Sequence, residues 1–334
     1  MKVHILDDWF DTLRGLDCFR LLDDHDVTVW TDHEPDPARL AERLKDAEAL
    51  CLFRERTKVG ADLLERLPAL RLVSQRSVYP HVDVEACTRR GVLLCSNMHA
   101  GTPSYAAAEM TLALMLASYR QIPVQVASLK AGQWQAGVGR TLRGRTLGLY
   151  GYGRIAGAVA TYAEALGMNV QWWASNEGRA RAHADGARVA ASREAFFGTS
   201  DVVSLHVRLK PGTRGIVTAA DLAAMPPRAL LVNTSRAGLI EPGALEAEIA
   251  RGRIQAAIDV FEHEPMTDPD HILATHPNVI ATPHIGYVTE DEFDLQFRDV
   301  FEQVNAFAAG APIHAINPEA LEREAGGPRT ALPG

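Results

Sequence analysis

The chain has 334 residues, close to half of them hydrophobic and just under a quarter charged, with a formal net charge of −8. At ~100–200 residues per domain, that length predicts two domains, each with material for its own core. The acidic balance argues against a nucleic-acid or anionic-membrane surface, which needs clustered Lys and Arg. No window approaches the ~18 uninterrupted apolar residues of a membrane span. The N-terminal MKVHILDDWF turns acidic too soon for a signal peptide. The four cysteines, Cys18, Cys51, Cys87 and Cys95, form no C-x-x-C pair. Together these features predict a cytoplasmic protein with buried, reduced thiols.

Short β-type runs alternate with helical patterns along almost the whole chain. Strands are expected at Val3–Leu6, Val27–Trp30, Ala49–Phe53, Leu70–Ser74 and Val92–Cys95. Helical stretches such as Pro37–Asp46 and Ala61–Arg66 fall between them. A long helix is expected over Ser104–Arg120, with Thr102 as N-cap, Pro103 at its first position and Pro123 ending or kinking it. A second series of strands follows at Thr146–Tyr150, Asn169–Trp173, Val202–His206, Ala229–Asn233, Ala256–Val260 and Asn278–Ala281, with a helix at Ala244–Arg251. These later runs are nearly all apolar, as strands covered on both faces are. The alternation predicts an α/β fold with parallel sheets and helices on both faces. The tail Glu322–Gly334 has little apolar content and is expected to be mobile.

The sharpest local motif is Gly151-Tyr-Gly153-Arg154-Ile155-Ala-Gly157, read as a G-x-G-x-x-G fingerprint between the strand Thr146–Tyr150 and a helix over Ile155–Leu166. Gly151 permits the tight turn, Gly153 lets the backbone approach a pyrophosphate, and Gly157 is expected to let helix and strand pack closely. The helix N-terminus offers its N–H groups and partial positive charge to the phosphates. The next strand should end in an acid that binds the adenosine ribose, but the sequence there reads Ala174-Ser175-Asn176-Glu177. Ser175 and Asn176 can bond either a ribose or a phosphate, Arg179 can pair with a phosphate, and Glu177 can serve the ribose if the loop turns back. The cofactor expected is NAD, with NADP left open.

Three later segments each place polar residues just past a β-type run: Leu230-Leu-Val-Asn-Thr234-Ser-Arg236-Ala-Gly238, Ala257-Ile-Asp259-Val-Phe-Glu-His-Glu264-Pro265 and Ile280-Ala-Thr-Pro-His284-Ile-Gly286. In an open α/β sheet, ligands bind beyond the carboxyl ends of the strands. Taken with Leu142–Gly157, these segments make the chain resemble the D-isomer-specific 2-hydroxyacid dehydrogenases, the family of phosphoglycerate, glycerate and D-lactate dehydrogenases, from about Ala49 to about Gly310. The resemblance implies a Rossmann cofactor domain inserted in a flavodoxin-like substrate domain. Residues 101–287 would form the first, and 1–100 with 288–334 the second.

It also implies a catalytic set that the chemistry favours. Arg236 offers a planar fork for the carboxylate and carbonyl oxygen of a 2-keto acid. His284 is suited to deliver a proton to that oxygen, and Glu264 would hold the imidazole charged and oriented. Gly151, Gly153, Arg154, Ile155, Gly157, Ser175, Asn176, His206 and Thr234 are expected at the cofactor. Asp259 matches the family residue that bonds the nicotinamide carboxamide.

The family's glycine-rich substrate loop corresponds to Ser74-Gln-Arg76-Ser77-Val78-Tyr79-Pro80, which has no glycine. Ser77, Val78 and Tyr79 are expected to face the substrate carboxylate, with Arg76 adding recognition and Arg54 binding a distal anionic group. His81, His99, His271 and His276 show no metal-ligand spacing, so no metal is expected. The partners expected are a small 2-keto or 2-hydroxy acid and a second copy of the chain, joined through the helix that starts at Thr102. The rival reading is an NAD(H)-sensing, corepressor-like binding protein on the same scaffold.

Overall fold

The computed structural model describes residues 1–98 and 105–324. The expected helix start at Thr102-Pro103, the crossover near residues 97–102 and most of the tail fall outside the described residues. The chain divides into two compact units, Met1–Pro103 with Thr289–Gly334, and Ser104–Val288.

The first unit opens with β1 (Lys2–Ile5), β2 (Asp26–Val29), α1 (Pro37–Arg43), β3 (Ala49–Cys51), α2 (Ala61–Glu65), β4 (Leu72–Arg76), α3 (Val84–Arg89) and β5 (Leu93–Asn97). All five strands pair in parallel in the order β2-β1-β3-β4-β5, the flavodoxin-like order. One face is covered by α1–α3, which bury Leu40, Leu63, Leu64 and Cys87 against Leu50, Val73 and Leu94.

The second unit holds α4 (Ala106–Arg120), α5 (Ile122–Lys130), β6 (Thr146–Tyr150), α6 (Arg154–Ala165), β7 (Asn169–Trp173), α7 (Asn176–Ala184), α8 (Arg193–Thr199), β8 (Val202–Leu205), α9 (Ala219–Ala224), β9 (Leu230–Asn233), α10 (Ala244–Ala250), β10 (Gln255–Ile258), α11 (Ile272–Thr275) and β11 (Val279–Ala281). Its sheet runs β11-β10-β9-β8-β6-β7, again all parallel. A single parallel bridge joins Trp172 of β7 to Val189. Counted as a third strand reduced to one residue, it gives the order 3-2-1-4-5-6-7, the Rossmann order 3-2-1-4-5-6 with β11 added at the edge.

The apolar strand sequences serve two cores at once. Val203, Leu205, Leu231 and Ile258 pack on one face with Phe196, Phe197 and Leu245. Leu147, Leu149, Leu230 and Val232 pack on the other with Met115, Val159 and Ala163. Alternation along β9 sends neighbours to opposite faces, the period-2 geometry of a strand.

The chain returns to the first unit with α12 (Glu290–Ala308) and ends its described part with α13 (Ala320–Glu324). The α12 helix starts where Thr289 Oγ1 accepts from the Glu292 N–H at 3.2 Å. It sets Phe293, Phe297 and Phe301 on the second face of the first sheet, with Phe53 4.8 Å from Phe297 and 4.9 Å from Phe293.

Pro123 does not end the preceding helix. Gln121 stops α4 by turning left-handed (φ 54°), and Pro123 sits in the first turn of α5, where its missing N–H costs nothing. All four cysteines are free and buried. Burial pushes the thiols of Cys87 and Cys95 up to about 12, so they stay protonated and inert. Among the described residues, no helix is long and apolar enough to cross a membrane, and no group of three His, Cys, Asp or Glu side chains could hold a metal ion.

Candidate active site

The dinucleotide loop is built at the end of β6. Gly151 takes φ +116°, and a Cβ there would lie 2.4 Å from the His206 carbonyl oxygen, so only glycine fits between β6 and the chain leaving β8. Gly153 is extended and caps α6, with open space where a Cβ would stand. No side chain caps this helix, which leaves its first N–H groups to a ligand, and Arg154 and Ile155 beside them are exposed. These features fit a pyrophosphate. Gly157 does not do what the motif led us to expect. Open space surrounds its Cβ position, and the fully buried residue of that turn is Ala156, which makes the close contact. Gly151→Ala is therefore expected to cost about 3 kcal/mol through clash and strain and to abolish NADH binding. Gly157→Ala should instead add about 0.5–1 kcal/mol of helix stability with NADH affinity kept. Urea midpoints and NADH fluorescence titrations check both.

Three loops at the carboxyl edge of this same sheet carry the catalytic candidates. Past β9, Asn233 holds the turn: its amide nitrogen donates to the Arg236 carbonyl at 3.0 Å, and its oxygen accepts from the Ser235 N–H at 3.1 Å. Ser235 Oγ reaches back to the Leu205 carbonyl at 2.7 Å, and Thr234 Oγ1 meets Thr111 Oγ1 of α4 at 2.8 Å. Arg236 thus projects from a loop pinned on both sides, with Nη1 donating to the Ser235 carbonyl at 2.7 Å.

Past β11, His284 adopts φ 55°, left-handed and unusual for a non-glycine residue. Its Nδ1 lies 2.6 Å from Glu264 Oε2, while Glu264 Oε1 accepts from the Phe261 N–H at 2.9 Å. Partial burial pushes the Glu264 carboxyl up. The hydrogen bonds from His284 and Phe261, with the charges of His284 and Arg236, outweigh it and hold the group below the usual glutamate range. The structure therefore gathers an ionised carboxylate, an imidazole and a guanidinium beyond one sheet edge.

Asp259, at the end of β10, is buried and already used within the protein. Its Oδ1 accepts from Thr282 Oγ1 at 2.6 Å and the Ile285 N–H at 2.8 Å, and its Oδ2 from the Gly286 N–H at 2.7 Å. It shapes the backbone on both sides of His284. His206 is half-buried at the end of β8 with Nε2 2.9 Å from Ser204 Oγ, and desolvation lowers it to about 4, so it is neutral at physiological pH.

At the end of β7, Ala174 is buried where an acid was expected. Ser175 caps α7 by accepting from the Gly178 N–H, and Asn176 accepts from Arg179, whose guanidinium lies 4.2 Å over the Trp173 ring. The nearest acid is Glu177, which its own N–H and the Ser175 hydroxyl hold below the usual range.

In the first unit, Ser77 takes the left-handed turn (φ 75°) that a glycine would take freely. Its carbonyl is held by Gln75 Nε2 at 2.8 Å and Ser96 Oγ at 2.7 Å. No hydrogen bond from the Val78 or Tyr79 N–H is found among the described residues. The Tyr79 ring packs against the core beneath. Arg76 is not available for recognition: it is buried with Nε 2.6 Å from Asp299 and Nη1 3.7 Å from Glu292, both on α12. Arg54 follows β3 in a left-handed conformation (φ 58°).

The sequence model of the D-isomer specific 2-hydroxyacid dehydrogenase NAD-binding domain matches residues 112–286. The chain belongs to this family. It is 34% identical to a glyoxylate reductase of Aeropyrum pernix, over 89% of this chain and 91% of that protein. It is 37% identical to a D-3-phosphoglycerate dehydrogenase of Methanocaldococcus jannaschii, over 81% of this chain but 52% of that protein, and so spans about half the length of that relative. Among solved structures, a phosphoglycerate oxidoreductase from Vibrio cholerae aligns with a TM-score of 0.88 at 44% identity, covering 93% of this chain and all of the other. NAD(H) is the cofactor of the matched domain.

Among the residues gathered at this edge, sequence reasoning passed over Tyr287. Its ring stands edge-on to His284 at 5.5 Å and 90°. The only signal was its place three residues after the histidine.

Proposed function

We propose that the chain is an NAD(H)-dependent oxidoreductase interconverting a small 2-keto acid and its D-2-hydroxy acid. The observation that carries this reading is the 2.6 Å His284–Glu264 pair, with Arg236 close enough to help keep Glu264 ionised. Bound NAD(H) supplies or takes up the hydride at C2. Arg236 holds the substrate carboxylate with its planar fork and draws electron density from the carbonyl oxygen. Since Nδ1 faces Glu264, Nε2 is the atom left to pass a proton to that oxygen during reduction, and to take it back during oxidation. Glu264 compensates the positive charge of the protonated ring and fixes its plane. Thr234, His206 and Asp259 line the cofactor side, and Glu177 stands in for the missing ribose acid, which favours NAD over NADP.

NADH consumption with a panel of 2-keto acids tests the reading, with NADPH run in parallel. Tight NADH binding without turnover of any acid would overturn it and favour the sensor. A buried, fully reduced cysteine set supports a cytoplasmic location.

The chain also acts as a homodimer in this reading, through the second unit. The α4 helix spends its apolar side internally, burying Leu114, Met115 and Tyr119. The unpartnered apolar face lies on α5 and the loop after it, where Ile122, Val124, Val126 and Leu129 are exposed and Trp134 and Val138 reach 76% and 87% exposure. Leu129→Asp with Trp134→Asp should convert a dimer to a monomer in size-exclusion chromatography with light scattering. A wild-type monomer at micromolar concentration would sink the idea.

A further inference from the structure

Helix α4 meets both catalytic loops of the second unit through neighbouring residues. It packs on the face of that sheet where Val232 of β9 and Ala257 of β10 adjoin Ala108, Leu114 and Met115. In its first half, Thr111 is fully buried. Its Oγ1 lies 2.8 Å from Oγ1 of Thr234, two residues before Arg236. Met110, the residue before it, abuts the loop after β11: a Cβ built on Gly286 would stand 3.8 Å from Met110 Cγ and 2.9 Å from Asp259 Oδ2. Gly286 follows His284 by two residues. One helix therefore touches the loop of the guanidinium and the loop of the imidazole.

A buried hydroxyl inside a helix has to be hydrogen-bonded, because an unpaired one costs free energy that an apolar side chain would not. Thr111 donates its hydrogen to the Ala107 carbonyl one turn back, at 2.8 Å. That bond satisfies the group within α4 and selects between the two χ1 rotamers open to a helical threonine. Its oxygen keeps lone pairs with which to accept from the Thr234 hydroxyl. Thr111 is thus a fixed acceptor, and the loop is the partner that depends on it. The other side-chain bonds of the Arg236 loop act differently. Asn233 bonds to Ser235 and Arg236 within the turn, and so shapes it without placing it. Ser235 Oγ ties the turn to β8 through the Leu205 carbonyl. Thr234 carries the tie to α4, the element that Gly286 also meets.

We propose that Thr111 is a positioning residue for the reaction: through Thr234 it sets where the Arg236 guanidinium stands relative to the His284 ring. This rests on the dehydrogenase reading for what the two groups act on, and its test separates the two. Misplacing a reacting group by about 1 Å costs on the order of 10²-fold in rate, and losing one anchor of a loop that keeps its others should displace it by less.

Thr111→Val removes the hydroxyl and keeps the outline of the side chain. With glyoxylate and NADH, kcat should fall about tenfold while the NADH dissociation constant stays within about twofold. Thr111→Ser keeps the oxygen and should recover most of the rate, and Thr111→Ala removes the hydroxyl a second way should the valine variant not fold. The deciding measurement is the cycle with Arg236→Ala. A residue that acts through the guanidinium has no effect once that group is gone, so Thr111→Val should cost less than about twofold in that background, whereas a general loss of structure would multiply. Hydrogen exchange of the NADH-loaded chain gives a readout without turnover. The amides of Ser235 and Leu239, both hydrogen-bonded inside the turn, should exchange about fivefold faster or more in Thr111→Val, with those of α4 unchanged. Wild-type turnover with the valine variant within twofold of it, or equal losses in both backgrounds, would overturn the positioning role and leave the activity standing. Faster exchange at Ser235 and Leu239 in a chain that reduces no keto acid would keep the placement of the loop and sink the activity. Neither turnover nor a change in exchange would sink both.

Discussion

Replacing Arg236 with alanine should lower kcat/KM for keto-acid reduction by about three orders of magnitude, the loss expected when a preorganised charged donor to the reacting oxygen and a carboxylate clamp go together. NADH affinity should change by no more than about twofold, because the loss is differential binding of substrate and transition state, not of cofactor. The loop should survive, since Asn233, Ser235 and Thr234 hold it through four other hydrogen bonds. Arg236→Lys should recover little, as a point charge cannot engage carboxylate and carbonyl in one plane. Steady-state kinetics beside an NADH titration decide the matter. A loss below tenfold would remove Arg236 from the chemistry.

The second large effect concerns protons. His284→Ala should reduce kcat by about 10²–10⁴-fold, the range for a positioned general acid. Glu264→Gln keeps a hydrogen-bond acceptor and removes the charge, so it separates orientation from electrostatics. Reduction draws its proton from the His284 ring, and the charge of Glu264 offsets the positive ring. The Glu264 carboxyl is held below the 4.5 of an ordinary glutamate, so the pair persists above that value and is lost only as pH falls through the depressed one; the glutamine variant should lose this acid limb. A pH–rate profile of the glutamine variant that superimposes on the wild type would show that Glu264 only orients the ring.

Eleven strands could be read from the sequence because each is a short apolar run between turn residues, and runs buried on both faces leave little ambiguity of type. Their ends moved by one or two residues, as with Leu72–Arg76 for the expected Leu70–Ser74. The α12 helix was missed although Phe293, Phe297 and Phe301 recur at helical spacing behind Thr289 and Glu292. Its acidic surface residues hid the pattern. The roles of single polar residues were harder to read. Arg76 looked like a substrate contact because it replaces small residues in a binding loop, yet its partners Glu292 and Asp299 lie more than two hundred positions away. That pairing depends on tertiary distance, which spacing along the chain does not encode. Ser175 and Asn176, read as cofactor ligands, also accept locally, from the Gly178 N–H and the Arg179 guanidinium. Arg236, Glu264 and His284 were legible because all three follow strands of one sheet, and strand ends converge on a common edge whatever their separation in sequence.

The three bonds that Asp259 accepts bear on any attempt to redesign this protein. Substituting it would unhitch Thr282, Ile285 and Gly286 at once, so a lost rate would report a displaced imidazole as readily as a weakened cofactor. Libraries aimed at new substrates should hold positions 259 and 282–286 constant, because change there moves the imidazole itself.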